Sequence, residues 1–363
     1  MQSTRSKSEP KVNYSWIAEY MKMADIAKAV QSDGSFTSLP FLKTNSNRQE
    51  FLDYFNNSWA LTEMLFSSLI SDEAFFRIPY HGLRHPMLFY YGHVAVLYVN
   101  KLRVAQLIDK PVDSHIESAF ETGIDEMLWD DIPAPRTDWP TLSQVRAYRE
   151  RVYNMITDII KNHPDIGKKQ INQSHSLWSL VMAFEHERIH LETSSVLIRE
   201  LPLSLVKTPQ GWPDFEYNKQ ENFAPEINIS YPQNQLVNID QQEIELGKPE
   251  NHPTFGWDNE YGYKKHKVNK FQVGKFLVSN GQFYEFVRDN GYHQDHYWSK
   301  SGLNWRKFRN IKNPTFWVSV GPAGLNHYQL RTIFKQIPMQ WNWPVVVNYH
   351  EASAFCAWQS EKP

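Results

Sequence analysis

Four long stretches whose apolar residues recur at helical spacing lie within residues 48–201, and they constrain this chain more than any other feature. The first, from Arg48 to Ile70, carries Phe51, Leu52, Phe55, Trp59, Leu61, Leu65, Phe66 and Leu69. The second begins near Pro86 and runs through His93 to about Leu107. Proline suits a first helical position and biases His85 before it away from helix. Leu142–Lys161 is the third; the fourth runs from about Ser176 to Leu201 and stops at Pro202. Such a series predicts an antiparallel four-helix bundle, an all-α domain over residues 48–205. A polar lead over residues 1–47, with one short helix around Trp16–Val30, precedes it. A long connection, Asp109–Pro140, joins the second and third helices and carries the acidic string Asp125–Asp131.

Past Pro202 the texture changes. Residues 206–270 are rich in Pro, Asn, Gly and Gln, with short runs such as Glu243-Ile-Glu-Leu-Gly247. Helical spacing returns only around Gln282–Asp289 and Tyr349–Ser360, so residues 206–363 read as an irregular α+β domain. The length of 363 residues suits two domains, and 41% hydrophobic with 14% aromatic residues is enough for sizeable cores. Charge is balanced, 38 basic against 40 acidic residues, which argues against nucleic-acid partners and anionic membrane surfaces. A single cysteine, Cys356, excludes an intrachain disulfide framework and a four-thiolate zinc site. No apolar run reaches the roughly 18 residues of a membrane span, and the N-terminus has no apolar secretory core. A cytoplasmic protein is the expectation.

The chemistry concentrates in Phe184-Glu185-His186-Glu187-Arg188-Ile189-His190-Leu191-Glu192-Thr193, inside the fourth helix. At about 100° per residue, His186 and His190 lie about 40° apart on one face and can share a metal ion. One interpretation is the His-Glu-x-x-His of zinc hydrolases, with Glu187 as general base. The short pattern recurs by chance, and Thr193 stands where the longer protease pattern has glycine. Glu192 falls about 200° from His190, away from the metal face, so it is assigned a supporting role and not a ligand's. His93 is the best candidate for a third ligand, because an unpaired imidazole in an apolar helix is costly to bury. Three facial imidazoles with open positions suit a non-haem Fe(II) site better than a closed zinc site. Tyr90 and Thr193 fall on the metal-facing sides of their helices and are the candidates for supporting the ligands. The competing interpretation is an amphipathic helix whose exposed face carries two histidines. His81, His85, His175 and His252 read as surface or loop residues, Asp125, Glu126, Asp130 and Asp131 as a solvated acidic loop, and Trp129 and Trp139 as packing residues.

His93 in Phe-Tyr-Tyr-Gly-His-Val-Ala, followed by Glu185-His-Glu-Arg-Ile-His-Leu-Glu-Thr-Ser-Ser, resembles the DinB-like helical domain of the sulfoxide synthases of ergothioneine and ovothiol biosynthesis. Gly123-Ile-Asp-Glu-Met-Leu-Trp-Asp-Asp131 and the Glu192-Thr-Ser-Ser extension resemble the ovothiol branch, the 5-histidylcysteine sulfoxide synthases, more closely. Phe255–Glu260, Phe276-Leu-Val-Ser-Asn280, Tyr297-Trp-Ser and the segment Trp343–Trp358 resemble the formylglycine-generating-enzyme-like (C-type-lectin-like) domain that follows in this family.

The resemblance implies an Fe(2+) cofactor, held by His93, His186 and His190. It implies an O2-dependent oxidoreductase that joins the sulfur of L-cysteine to the imidazole of L-histidine as a sulfoxide. Histidine would then lie between the bundle and the second domain, oriented by Arg, Asp and Trp residues that the sequence does not single out. The resemblance also implies that the second domain continues past Pro363, where the family's active-site tyrosine and much of its thiol pocket are expected. From this follow three further expectations: a catalytically incomplete iron-binding fragment as an alternative, poor coverage of Trp343, Phe355 and Trp358 with easy proteolysis past about residue 240, and a core position for Cys356. A reaction on trimethylhistidine, as in the ergothioneine branch, remains a rival on sequence alone.

Overall fold

The computed structural model describes residues 42–79, 84–121, 138–210, 212, 215–322 and 324–361. The short helix expected around Trp16–Val30, the string Gly123–Asp131 and His81 lie outside these residues. The chain forms two compact units, one taking Met1–Pro213 with Pro249–Tyr261, the other Asp214–Lys248 with Gly262–Pro363.

In the first unit the long helices are α1 (Arg48–Phe66), α3 (Met87–Val104), α5 (Leu142–Asn162) and α6 (Trp178–Glu200). The short α2 (Asp72–Phe76) and α4 (Ser114–Phe120) fall between them, so the connection after Leu107 contains helix where sequence periodicity showed only loop. Seven residues are too few for a periodic signal to stand out. Local chemistry sets the starts. Asn47 Oδ1 accepts from the backbone N–H groups of Gln49 and Glu50 while Glu50 Oε2 accepts from Asn47 N, a closed capping box for α1. Thr141 and Gln144 form the same box for α5. Pro86 stands at the N-cap of α3, one position before the first helical residue.

α1 and α3 each pack against both α5 and α6, which closes a four-helix ring. Every residue of α3 from Met87 to Val99 is buried, so this helix is enclosed on all sides. Phe51, Phe55, Tyr98 and Phe184, all buried, interlock in the core, with the Phe55 ring 5.7 Å from Phe184 and 5.8 Å from Tyr98. Pro249–Tyr261 joins this unit through a bridge between Lys43 and Thr254 and a ring contact of Phe255 on Trp178 at 4.9 Å.

The second unit holds two antiparallel ribbons and a three-stranded sheet. β1 (Leu236–Ile239) pairs with β4 (Phe271–Gly274), and β2 (Gln242–Leu246) pairs with β3 (Lys264–Val268). The sheet runs β5 (Trp317–Ser319), β6 (Tyr328–Arg331), β7 (Gln336–Pro338), antiparallel throughout. Around it lie α7 (Asn280–Arg288), α8 (Lys300–Arg309) and α9 (Tyr349–Ser360). Sequence spacing did not reveal α8, whose composition Lys-Ser-Gly-Leu-Asn-Trp-Arg-Lys-Phe-Arg is too polar for a stripe.

The core is aromatic: Phe283, Phe286, Tyr292, Trp298, Trp317, Tyr328, Trp341, Phe355 and Trp358 form one buried cluster. Two sequence expectations are corrected here. Phe355 and Trp358 are each only 5% exposed, because α9 turns both rings onto Phe283 and Phe286. Cys356, expected in the core, sits on the opposite face of the same helix and is exposed. Among the described residues no helix is long and apolar enough to cross a membrane.

A candidate metal centre in the helical bundle

Three imidazoles converge inside the first unit. α3 supplies His93 and α6 supplies His186 and His190, and one nitrogen of each lies within 4.8 Å of the other two. His190 Nε2 is 3.0 Å from His186 Nε2. Two cis ligands, each about 2.1 Å from one ion, stand about 3.0 Å apart, so this spacing fits a shared metal. The His93 ring centre is 5.1 Å from that of His186 and 4.8 Å from that of His190.

The tautomer of His93 follows from its neighbour. Its Nδ1 lies 2.9 Å from the carbonyl oxygen of Phe120, which can only accept, so Nδ1 carries the proton and Nε2 presents a lone pair. Gly92 makes this approach feasible: a Cβ there would stand 2.9 Å from the Phe120 ring. The Nδ1 atoms of His186 and His190 are buried with no hydrogen-bond partner.

Burial pushes His93 down to about 4, although the Phe120 carbonyl pulls the other way. Burial, then the charge of a protonated His93, and then Arg84 push His190 down to about 3. His186 falls well below the ordinary imidazole range, through burial first and then repulsion from His190 and His93. All three are therefore neutral near pH 7, the form that binds a metal ion. A buried set of three neutral nitrogen donors fits a divalent transition metal and leaves positions for other ligands.

Glu187 is fully buried, and both its oxygens are engaged. Thr62 Oγ1 donates to Oε1 at 2.8 Å and the Tyr98 hydroxyl donates to Oε2 at 2.7 Å. Since Tyr98 shares α3 with His93, this bond ties together the two helices that carry the imidazoles. Beside it Arg149, also fully buried, donates to Glu63 at 2.8 Å and to the Tyr91 carbonyl at 2.7 Å. Its guanidinium sits 4.2 Å from the Trp59 ring and 4.4 Å from the Tyr91 ring. A carboxylate held this way stabilises the bundle and is not poised over the imidazoles as a base.

Of the other residues singled out from sequence, Glu192 is exposed. Tyr90 is buried with its ring 6.1 Å from that of His190, and its hydroxyl accepts from the backbone N–H of His85 at 3.3 Å. Thr193 Oγ1 donates to the His190 carbonyl at 3.4 Å, supporting helix backbone. His85 packs on Phe89 at 4.2 Å and His175 lies 3.2 Å from Asp165, neither among the three imidazoles. Sequence reasoning missed the Glu63–Arg149 pair, although Arg149 interrupts the apolar stripe of Val145, Tyr148, Val152 and Ile156. The roles of Thr62, Tyr98 and the Phe120 carbonyl had no signal in the sequence.

The fold is thus a DinB-like helical bundle carrying a histidine triad, followed by a formylglycine-generating-enzyme-like α+β domain. Residues 54–194 match the DinB superfamily, and residues 224–362 match the sulfatase-modifying factor enzyme 1-like domain. The chain is 23% identical over 355 residues to ergothioneine biosynthesis protein 1 of Neurospora crassa, an alignment covering 89% of this chain and 38% of that protein. It is 21% identical over 305 residues to the Schizosaccharomyces pombe protein of the same name, covering 76% of this chain and 36% of the relative. Over 101 residues it is 33% identical to hercynine oxygenase of Mycobacterium tuberculosis, 28% of this chain and 23% of that protein. The chain therefore spans less than two fifths of the length of these relatives. They support the resemblance to the sulfoxide synthase family without singling out its ovothiol branch.

Proposed function

We propose that the chain acts as an Fe(2+)- and O2-dependent sulfoxide synthase, joining the sulfur of L-cysteine to the imidazole ring of L-histidine as in ovothiol biosynthesis. The observation that carries the reaction class is the meeting of three neutral imidazoles, His93, His186 and His190, in a bundle matching the DinB superfamily. The substrate pair rests on the ovothiol-like strings Gly123–Asp131 and Glu192–Ser195. The relatives' names favour a second reading, hercynine in place of L-histidine.

The reaction balances without another reductant: one oxygen atom ends on sulfur, and the other leaves as water with the hydrogens of the S–H and ring C–H. His93, His186 and His190 would hold the metal through Nε2. Iron bound there supplies a Lewis-acidic, redox-active centre with open positions for thiol and O2. The chain's own residues prepare that site. The Phe120 carbonyl keeps the His93 proton on Nδ1. Burial holds all three imidazoles neutral, so none must release a proton to bind. The Glu187–Tyr98 bond fixes α6 against α3. With both oxygens of Glu187 taken, the zinc-hydrolase alternative lacks its base.

The test is anaerobic Fe(II) titration of the chain, then exposure to O2 with L-cysteine and equal L-histidine and hercynine. Stoichiometric binding and a histidine-derived sulfoxide are expected. A hercynine-derived product would move the chain to the ergothioneine branch. Zinc preference with amide cleavage would overturn the synthase assignment.

A further inference from the structure

We propose that the second unit binds an uncharged, hydroxyl-rich small molecule, of the sugar or polyol class, in a preformed hollow between residues 216–222 and 339–343. The hollow lies wholly within that unit and does not depend on the metal chemistry of the bundle. Its volume is about 700 Å³, inside the range of roughly 300–1,000 Å³ usual for small-molecule sites.

The chain itself fixes the walls. At the start of α7 the backbone N–H groups of Asn280 and Gly281 donate to the carbonyls of Trp343 and Trp341, both at 2.8 Å. Gln340, 3% exposed, clamps the facing loop: its Oε1 accepts from Asn218 N and its Nε2 donates to the Asn218 carbonyl, each at 2.8 Å. The Trp341 indole N–H donates to the Asn222 carbonyl at 2.8 Å, and Asn222 Nδ2 donates to Ser230 Oγ at 3.0 Å. A hollow held this way exists before any ligand arrives, so binding does not have to order its walls. What projects between them is uncommitted. Among the described residues the side chains of Glu216, Gln220 and Asn342, the Tyr217 hydroxyl and the Trp343 indole N–H make no hydrogen bond. The lining then selects the ligand. Asn218, Gln220, Asn222, Gln340 and Asn342 are amides, and no lysine, arginine or histidine is among the described lining residues. Lys335, whose amino group is 5.2 Å from the Phe215 ring and 5.5 Å from the Tyr217 ring, is outside that lining. An anion would therefore meet the carboxylates of Glu216 and Glu221 with nothing in the lining to offset them. A cation could use those carboxylates, of which Glu221 already accepts from Gln329 Nε2, but would leave the amide N–H donors idle. A hydroxyl both donates and accepts, so it matches amides and carboxylates alike. The half-buried rings of Tyr217 and Trp343 complete the match, because the C–H face of a sugar ring is apolar.

The experiment titrates the full chain by calorimetry with glucose, trehalose and myo-inositol, and with glucuronate and glucosamine as anionic and cationic counterparts. The same titrations are run on the double variant Gln220→Ala, Asn342→Ala, whose two positions are exposed and whose fold is checked by its melting midpoint. At least one neutral probe should bind saturably at one site per chain, and more tightly than either charged probe. Each substitution removes hydrogen bonds worth roughly 3- to 10-fold in affinity, so the double variant should bind that probe roughly 10- to 100-fold more weakly with its midpoint unmoved. No saturable binding of any neutral probe at about 50 mM would overturn the proposal. So would glucuronate or glucosamine binding more tightly than every neutral probe, or a neutral probe whose affinity is the same in the double variant.

Discussion

His93 sits where an imidazole is hard to keep, 4% exposed in a helix enclosed by apolar neighbours, and the Phe120 carbonyl is what satisfies its ring proton. His93→Ala should abolish stoichiometric Fe(II) binding in an anaerobic titration, whereas Glu192→Ala, at an exposed position, should change affinity less than about twofold. Equal losses in both would contradict the triad. Burial also sets the acid response of the metal-free chain. The folded imidazoles titrate below their ordinary value of about 6.5, so the unfolded chain takes up protons first as pH falls. Stability is intact above about 6.5 and drains away as pH drops towards the value near 4 of His93. Thermal melting from pH 7.5 to 4.5 without metal reads this directly, and a flat profile would contradict it. The i, i+4 spacing made His186 and His190 legible from sequence alone. His93 was legible as an orphan in an apolar run. The atoms that aim these rings were not, because backbone carbonyls and cross-helix hydroxyls such as those of Phe120, Thr62 and Tyr98 follow no local pattern.

At the scale of elements, the four long helices could be located from apolar period and caps to within a few residues, since one buried stripe per helix repeats many times. α4 and α8 could not, one being too short and the other too polar. Yet α4 matters most to the site after the two ligand helices, because its last residue, Phe120, holds His93. Gly92→Ala would place a methyl 2.9 Å from that ring and force Phe120 away. We expect a loss of roughly 1–3 kcal/mol in chemical denaturation and weaker metal binding together. Loss of stability with unchanged metal affinity would mean that Phe120 does not position His93. Glu187→Ala should cost about 1–3 kcal/mol, as it leaves the buried Tyr98 hydroxyl without its acceptor, while Thr62 keeps the Ser58 carbonyl at 3.2 Å. Glu187→Gln, able to meet both hydroxyls, should cost much less; a hydrolytic base would show the reverse priority, with activity lost in both.

For the whole molecule, the two units draw on different resources: one is a helical ring with a polar network at its centre, the other a small sheet under stacked aromatics. Sequence texture announced this change near Pro202, but not that Pro249–Tyr261 would rejoin the first unit, since a bridge such as Lys43–Thr254 is a long-range event. Fe(II) at a hundredfold excess over Kd should stabilise the helical unit by about 2.7 kcal/mol and so raise the melting midpoint of the helical signal, and an unmoved midpoint would contradict binding at the triad. The triad offers three uncharged donors, so an ion with two positive charges arrives with no anionic ligand from the imidazoles themselves. The first anion to reach it, such as a thiolate, neutralises charge that the imidazoles do not. Ion and thiol then tighten each other's hold, and reciprocity demands the same factor in both directions. Where such a thiol is scarce the centre would hold its ion weakly, and where it is abundant tightly, so occupancy of the centre would follow the concentration of the thiol.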